Sequence, residues 1–434
     1  MVLLTELHEN DINFPEYEAI VDTDQNSSDE ARDRTTLFKM LQLVTRTIPL
    51  CCINLLRLIL FVVCLLPGFT RFAWYYFVAA DRISLHYMDE SVRQRVDVYR
   101  TSRNTNSQRQ GKLRRDTVLP GEECSSSAPV VVFCTGGAWM IGYKMWGALM
   151  ARALTAAGVV VVIPDTRNYP MVSIPLMVDD VDLAIDWTIN NIAQYGGDPR
   201  NIVIVGQSAG GHLACMAIFR KIRRKIAREN TNGTRDDLPQ ARTIMERKRT
   251  TEEEKIDDGW SASEIRGFAA ISSPLTFGSA ITNSFRRLGF DDNIVNRMFA
   301  FEKDRYDPHL ALNSFRTVEE KKKFVQELPP ISIYQGTEDK TVPFEVAEIF
   351  YRELIKAIPD KDAVLFVPYV GWSHTDPILE GPMDADHRLH KDLLNDVNRW
   401  TTSPNYLNWP NDSRANARLC PHFLVTLSRW LNPF

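Results

Sequence analysis

The feature that most constrains this 434-residue chain is five residues long: Gly206-Gln207-Ser208-Ala209-Gly210. It follows the apolar, β-branched run Ile202 to Val205 and opens the run Gly210 to Phe219, which has a helical pattern. A serine held between a strand and a helix sits on a tight, strained turn, so small residues are needed two places before it and two places after it. Such a turn lifts the hydroxyl above the carboxyl end of a sheet, where ligands bind in open α/β folds. Serine is a weak nucleophile at neutral pH and needs a base. Of the eight histidines, His374 follows a late strand pattern, Val364 to Val367. His212, His387 and His390 are the rivals. The first lies on the helix after Ser208, where it reads as a packing or capping residue. The other two lie on the last helical pattern before Trp400.

The base must be kept in one tautomer by an acceptor. Asp339, in Gln335-Gly-Thr-Glu-Asp339-Lys-Thr-Val-Pro343, lies just past the strand Ile331 to Tyr334, with Glu338 as its neighbouring alternative. The order Ser208, Asp339, His374 is the one used by nucleophile-elbow hydrolases. An oxyanion needs backbone donors. The sequence offers the N–H of Ala209, after the nucleophile, and those of Gly136 and Gly137, in the loop Thr135 to Trp139 after the strand Val130 to Phe133. Thr135 has no assigned role.

Val130–Phe133, Val159–Ile163, Ile202–Val205, Ile265–Ile271, Ile331–Tyr334 and Val364–Val367 are continuous apolar runs. Runs without alternation are expected of parallel strands buried on both faces. Helical patterns at Trp146–Ala157, Met177–Tyr195, Gly210–Lys225, Phe344–Ala357 and His387–Trp400 separate most of them. The expectation is an α/β-hydrolase fold: a mostly parallel, doubly wound sheet flanked by helices. The catalytic domain is assigned to residues 91–434, with a charged insertion over 221–258.

Residues 1–36 are acidic and polar, too poor in apolar surface to offset their ordering entropy, and are read as a disordered tail. Residues 37–90 are read as an apolar, membrane-associated helical segment. Ile48 to Leu66 has the length of a span, although Asn54 and Arg57 oppose it, and Trp74, Tyr75 and Tyr76 suit a lipid–water boundary. One span, a short hairpin or an interfacial helix all remain open. The formal net charge of −4 gives no global basic field, so nucleic acid is not an expected partner. The seven cysteines show neither C-x-x-C pairs nor metal-ligand spacing, and no metal or cofactor is expected.

The stretches VVFCTGGAWMIGYKMWG, NNIAQYGGDPRNIVIVGQSAGGHLA, GTEDKTVP and SHTD resemble the isoprenylcysteine α-carbonyl methylesterases of the hormone-sensitive-lipase branch. The likeness extends to LPGFTRFAWYYF upstream and LCPHFLVTLSRWLNPF downstream, nearly the whole chain beyond the tail. The resemblance implies demethylation of the carboxyl methyl ester of prenylated cysteine, at endoplasmic reticulum and Golgi membranes. It carries Ser208, Asp339, His374, Gly136 and Gly137 onto the family's motifs. Three departures stand out. Asp165-Thr166-Arg167 replaces the usual Asp-Tyr-Arg, Ile271-Ser-Ser-Pro274 replaces a more glycine-rich loop, and the 221–258 insertion is long. Asp165 and Arg167 are read as an ion pair. The rivals are a general carboxylesterase or lipase of short acyl esters, and a catalytically silent binding protein on the same fold.

Overall fold

In strands β3 (Ala128–Cys134), β4 (Val160–Asp165) and β5 (Gly197–Gln207), successive β-branched side chains point to opposite faces of the sheet. Val130, Val132, Val160, Val162, Ile202 and Ile204 enter one apolar core, and Val131, Phe133, Val161, Ile163, Val203 and Val205 enter another. A sheet apolar on both faces must be covered on both. The helices Ile174–Asn191, Ala209–Thr231 and Phe344–Ala357 contribute to the first core. The helices Ala148–Ala156, Arg388–Trp400 and His422–Leu431 contribute to the second.

The computed structural model describes residues 55–101, 127–231, 259–287, 289–402, 406–411 and 416–433. The acidic tail assigned to 1–36 and most of the 221–258 insertion lie outside them; Lys221 to Thr231 continue the helix that begins at Ala209. The chain divides into two units, 1–57 and 58–434. Of the first, only the opening residues of a helix are described.

Among the described residues the sheet has eight strands. To those named are added β1 (Arg82–His86), β2 (Arg95–Tyr99), β6 (Ile265–Ile271), β7 (Ile331–Gly336) and β8 (Val364–Tyr369), in the order β1-β2-β4-β3-β5-β6-β7-β8. β2 runs antiparallel to both neighbours, and the remaining pairs are parallel. This is the expected α/β-hydrolase fold, with an antiparallel edge whose first strand, β1, falls within the segment read as helical. Residues 82–86 belong to the sheet, so the helical stretch placed at 37–90 gives way well before residue 90. Among the described residues a single helix, Leu55–Ala79, is long and apolar enough to cross a membrane.

Candidate active site

The carboxyl ends of β5, β7 and β8 carry the three residues singled out by sequence. β6 lies between β5 and β7, and its last pairs set Gly206 beside Ala270 and Gln207 beside Ile271. Ser208 follows at once with φ of +52°, a left-handed conformation that costs a non-glycine residue about 1–3 kcal/mol. Its N–H donates to the Ile271 carbonyl at 2.8 Å. The turn is also crowded: a side chain on Gly210 would collide with the Cys134 and Thr135 backbone.

His374 lies in the loop after β8, with Nε2 3.0 Å from Ser208 Oγ. Its Nδ1 is 2.8 Å from Asp339 Oδ2, past the end of β7. Asp339 is itself fully engaged. Oδ1 accepts from the backbone N–H of Thr341 (3.0 Å) and Val342 (2.8 Å), and Oδ2 also accepts from Gln335 Nε2 at 3.0 Å. With one carboxylate oxygen saturated by backbone, the other is left to orient the imidazole. All three residues are buried. Glu338, the alternative acid, donates only its backbone N–H to Trp372 within this turn.

The loop after β3 lies against the serine. A Cβ on Gly136 would collide with the Gln207 side chain and come 2.9 Å from Ser208 Cβ. Gly137 has φ of +132°, and Ala138 and Trp139 follow with φ of +48° and +59°. Three consecutive residues with positive φ hold the loop out over the hydroxyl. Gly136 on this loop, and Ala209 at the start of the helix, border Ser208, while Gly137 packs against the Gly142 backbone.

His212 proves to be a structural partner of that loop. It is completely buried, accepts from Trp139 Nε1 at Nδ1 (3.2 Å), and donates from Nε2 to the Tyr306 carbonyl (2.7 Å). Burial pushes its pKa down to about 4, so it stays neutral in this role. Trp139 also meets Phe277, Phe285 and Phe299. Trp139, Phe285 and Phe299, with Phe290, Val295, Met298 and Val342, line an apolar pocket that opens on Ser208. The pocket wall drawn from 285–299 was not found by sequence reasoning. His387 and His390 pack against each other and Trp409 instead. Their rings meet each other through Nδ1 at 3.3 Å beside Trp409, in the core rather than at the surface.

The expected pairing of Asp165 with Arg167 is corrected. Arg167 makes a bidentate contact with buried Asp180 (2.7 Å at its shortest), and Asp165 pairs with Arg93 at 2.7 Å. Only Thr166 separates Asp165 from Arg167, yet the two side chains reach separate partners, Arg167 on the helix Ile174–Asn191 and Asp165 on the segment preceding β2. Burial raises the Asp165 pKa to about 6 even with Arg93 beside it.

Comparison with known proteins places this architecture. The family model BD-FAE matches residues 116–246. A probable isoprenylcysteine α-carbonyl methylesterase of Oryza sativa subsp. japonica is 30% identical over 344 residues, covering 79% of this chain and 70% of that protein. The chain belongs to the isoprenylcysteine α-carbonyl methylesterase family. A probable methylesterase of the same family from Arabidopsis thaliana is 29% identical over 85% of this chain, which spans 66% of that relative's length, just under two thirds. Among solved structures, a propionate-bound esterase from Thermogutta terrifontis aligns with 78% of the chain and 99% of its own, at 18% identity and a TM-score of 0.49. This member of the methylesterase family is a carboxylic-ester hydrolase.

Proposed function

We propose that the chain is a serine hydrolase that demethylates the carboxyl methyl ester of prenylated cysteine, with Ser208 as nucleophile, His374 as base and Asp339 as the residue that orients it. The observation that carries this reading is the continuous hydrogen-bonded chain Ser208–His374–Asp339, at 3.0 and 2.8 Å, at the mouth of an apolar pocket. His374 Nε2 takes the Ser208 proton as Oγ bonds to the ester carbonyl carbon. The resulting oxyanion is met by the backbone N–H groups of Gly136, Gly137 and Ala209. The bond to the methoxy oxygen breaks, and methanol leaves with the proton from His374. Water then gives a proton to the same nitrogen and attacks the acyl-enzyme, which releases the free carboxylate and restores Ser208.

The apolar wall formed by Trp139, Phe285, Phe290, Val295, Met298 and Phe299 suits a hydrocarbon acyl side chain, each buried CH₂ of which contributes about 0.8 kcal/mol. The substrate partitions into membranes, and the reading includes attachment of the enzyme to endoplasmic reticulum and Golgi membranes. Hydrolysis of farnesylcysteine methyl ester is to be compared with that of p-nitrophenyl acetate. A higher kcat/KM for the prenylated ester supports the proposal, and a large preference for the acetate overturns its substrate. A fluorophosphonate probe is expected to label the wild type and not Ser208→Ala. Equal labelling of both would remove Ser208 from its role.

A further inference from the structure

The helix Leu55–Ala79 is long and mostly apolar, but from Leu58 onward its two faces meet different surroundings. Phe61, Leu65, Gly68, Phe72 and Tyr76, spaced three or four residues apart, are buried. They enter the same core as Met383, Leu389 and Val425. At the far end, Tyr76 Oη donates to Asp97 Oδ2 on β2 at 3.0 Å, where Arg82 and Lys144 also meet that carboxylate. Phe61 and Tyr76 are 15 residues apart, about 22 Å of helix. Over that length one side of the helix is fixed to the catalytic domain. A helix crossing the roughly 30 Å hydrocarbon core in this pose would have to draw the polar domain in with it.

The opposite face exposes Ile59, Val62, Val63, Leu66, Trp74 and Phe77. The C-terminal helix, His422–Leu431, sits beside it. Cys420 Sγ meets the Cys64 carbonyl at 3.5 Å, and Arg71 donates to the carbonyls of Arg418 and Leu419. This second helix buries Val425 and Leu431 and exposes Phe423 (69%), Leu427 (44%) and Trp430 (74%), again one face at helical spacing. Two segments more than 340 residues apart in sequence thus bring apolar stripes to adjoining helices.

Charge indicates what covers them. Residues 58–79 carry Arg71 as their one charged side chain, and residues 416–433 carry Arg418, His422 and Arg429 and no acid. The acids that meet the latter, Asp376 and Asp384, have side chains only 2% and 9% exposed, whereas Arg418 and His422 are 58% and 59% exposed. An apolar stripe with tryptophans, rimmed by exposed Arg418 and His422 above their less exposed partner Asp384, matches one leaflet of a bilayer containing anionic lipid.

We propose that this enzyme sits in the plane of one leaflet, and that the C-terminal helix forms the second half of the lipid contact. The N-terminal helix does not cross the bilayer. This goes beyond the attachment proposed above and is independent of which ester is cleaved.

The test uses the purified full-length chain, transferred from detergent to vesicles of phosphatidylcholine and phosphatidylserine. Leu427→Glu/Trp430→Glu is expected to lower the vesicle partition coefficient by about tenfold or more, and Val63→Glu/Phe77→Glu by a comparable factor. Hydrolysis of p-nitrophenyl acetate in detergent reports that each variant is folded. Unchanged partition of the C-terminal variant overturns the two-helix surface. So does a lipid-free dimer that the same variant dissociates, because a second copy would then be the occupant. Protease added to sealed proteoliposomes in which the catalytic domain faces outward is expected to remove the segment before residue 55 as well as to nick that domain. Protection of the N-terminal segment in those vesicles overturns in-plane seating.

Discussion

Asp339→Asn is the substitution whose effect the structure fixes most tightly. An asparagine at this position has one acceptor and one donor end. The Oδ1 site faces the N–H groups of Thr341 and Val342, so the amide oxygen must lie there or leave two backbone donors unpaired. The amide NH₂ then occupies the Oδ2 site, 2.8 Å from His374 Nδ1 and beside the Gln335 amide that donates to it in the native chain. There it offers His374 a proton where the carboxylate had accepted one. The imidazole answers by moving its own proton to Nε2, the nitrogen that faces Ser208, and a protonated Nε2 cannot accept from the hydroxyl. The same tautomeric error in a serine protease lowers kcat about ten-thousandfold, which corresponds to about 5.4 kcal/mol at the transition state. The expected result is a kcat for p-nitrophenyl acetate reduced by that order, with KM nearly unchanged and the thermal transition preserved. Glu338→Gln, the neighbouring control, is expected to stay within a fewfold of wild type. An Asp339→Asn enzyme that is folded and within tenfold of wild type, or a Glu338 variant that fails instead, would refute the reasoning.

Further outcomes follow from neighbouring contacts. Gly136→Ala places a methyl group against the Gln207 side chain and Ser208 Cβ, so it is expected to displace the donor loop and lower kcat about 10²–10³-fold, read by steady-state kinetics. Arg429→Ala leaves Asp376 buried without its cationic partner; a loss of about 3 kcal/mol in urea unfolding is expected. Burial, assisted by Asp376, pushes the Glu380 pKa up to about 8, and its Oε2 has no partner among the described residues. A carboxyl raised in the folded state favours folding while it is protonated. Its contribution is present below the ordinary value of 4.5 and is lost as pH rises toward 8 and beyond. Tm is therefore expected to fall across that window in the wild type, and Glu380→Gln, which keeps the neutral form, is expected to flatten the fall in a pH series of thermal melts.

Much of this arrangement was legible from residues adjacent in the chain. The Gly-Gln-Ser-Ala-Gly turn between a β-branched run and a helix placed Ser208. Asp339 and His374 stand just past apolar runs that end in turn residues, so three strand ends could be read independently. What escaped depended on contacts across long separations. β1 and β2 alternate polar and apolar residues, Arg-Ile-Ser-Leu-His and Arg-Val-Asp-Val-Tyr; β1 follows an apolar helix closely and was read with it, and β2, placed in the catalytic domain, was not picked out as a strand. Arg167 was assigned to Asp165 because the two are close in sequence, whereas its partner Asp180 is one helical turn or more into the next element. The aromatic wall around Trp139 gathers side chains from 277 to 299, and His212 joins it from a different helix. Local patterning mentions none of these meetings.

The side-on attachment of the first helix bears on how this enzyme can be prepared. Cutting the chain at residue 80 to obtain a detergent-free fragment would strip the cover from Met383, Leu389 and Val425 and leave Asp97 without the tyrosine that caps it. The greasy trench thus opened would favour aggregation, so solubility is better sought by recolouring the outward residues, such as Val63 and Phe77, than by trimming.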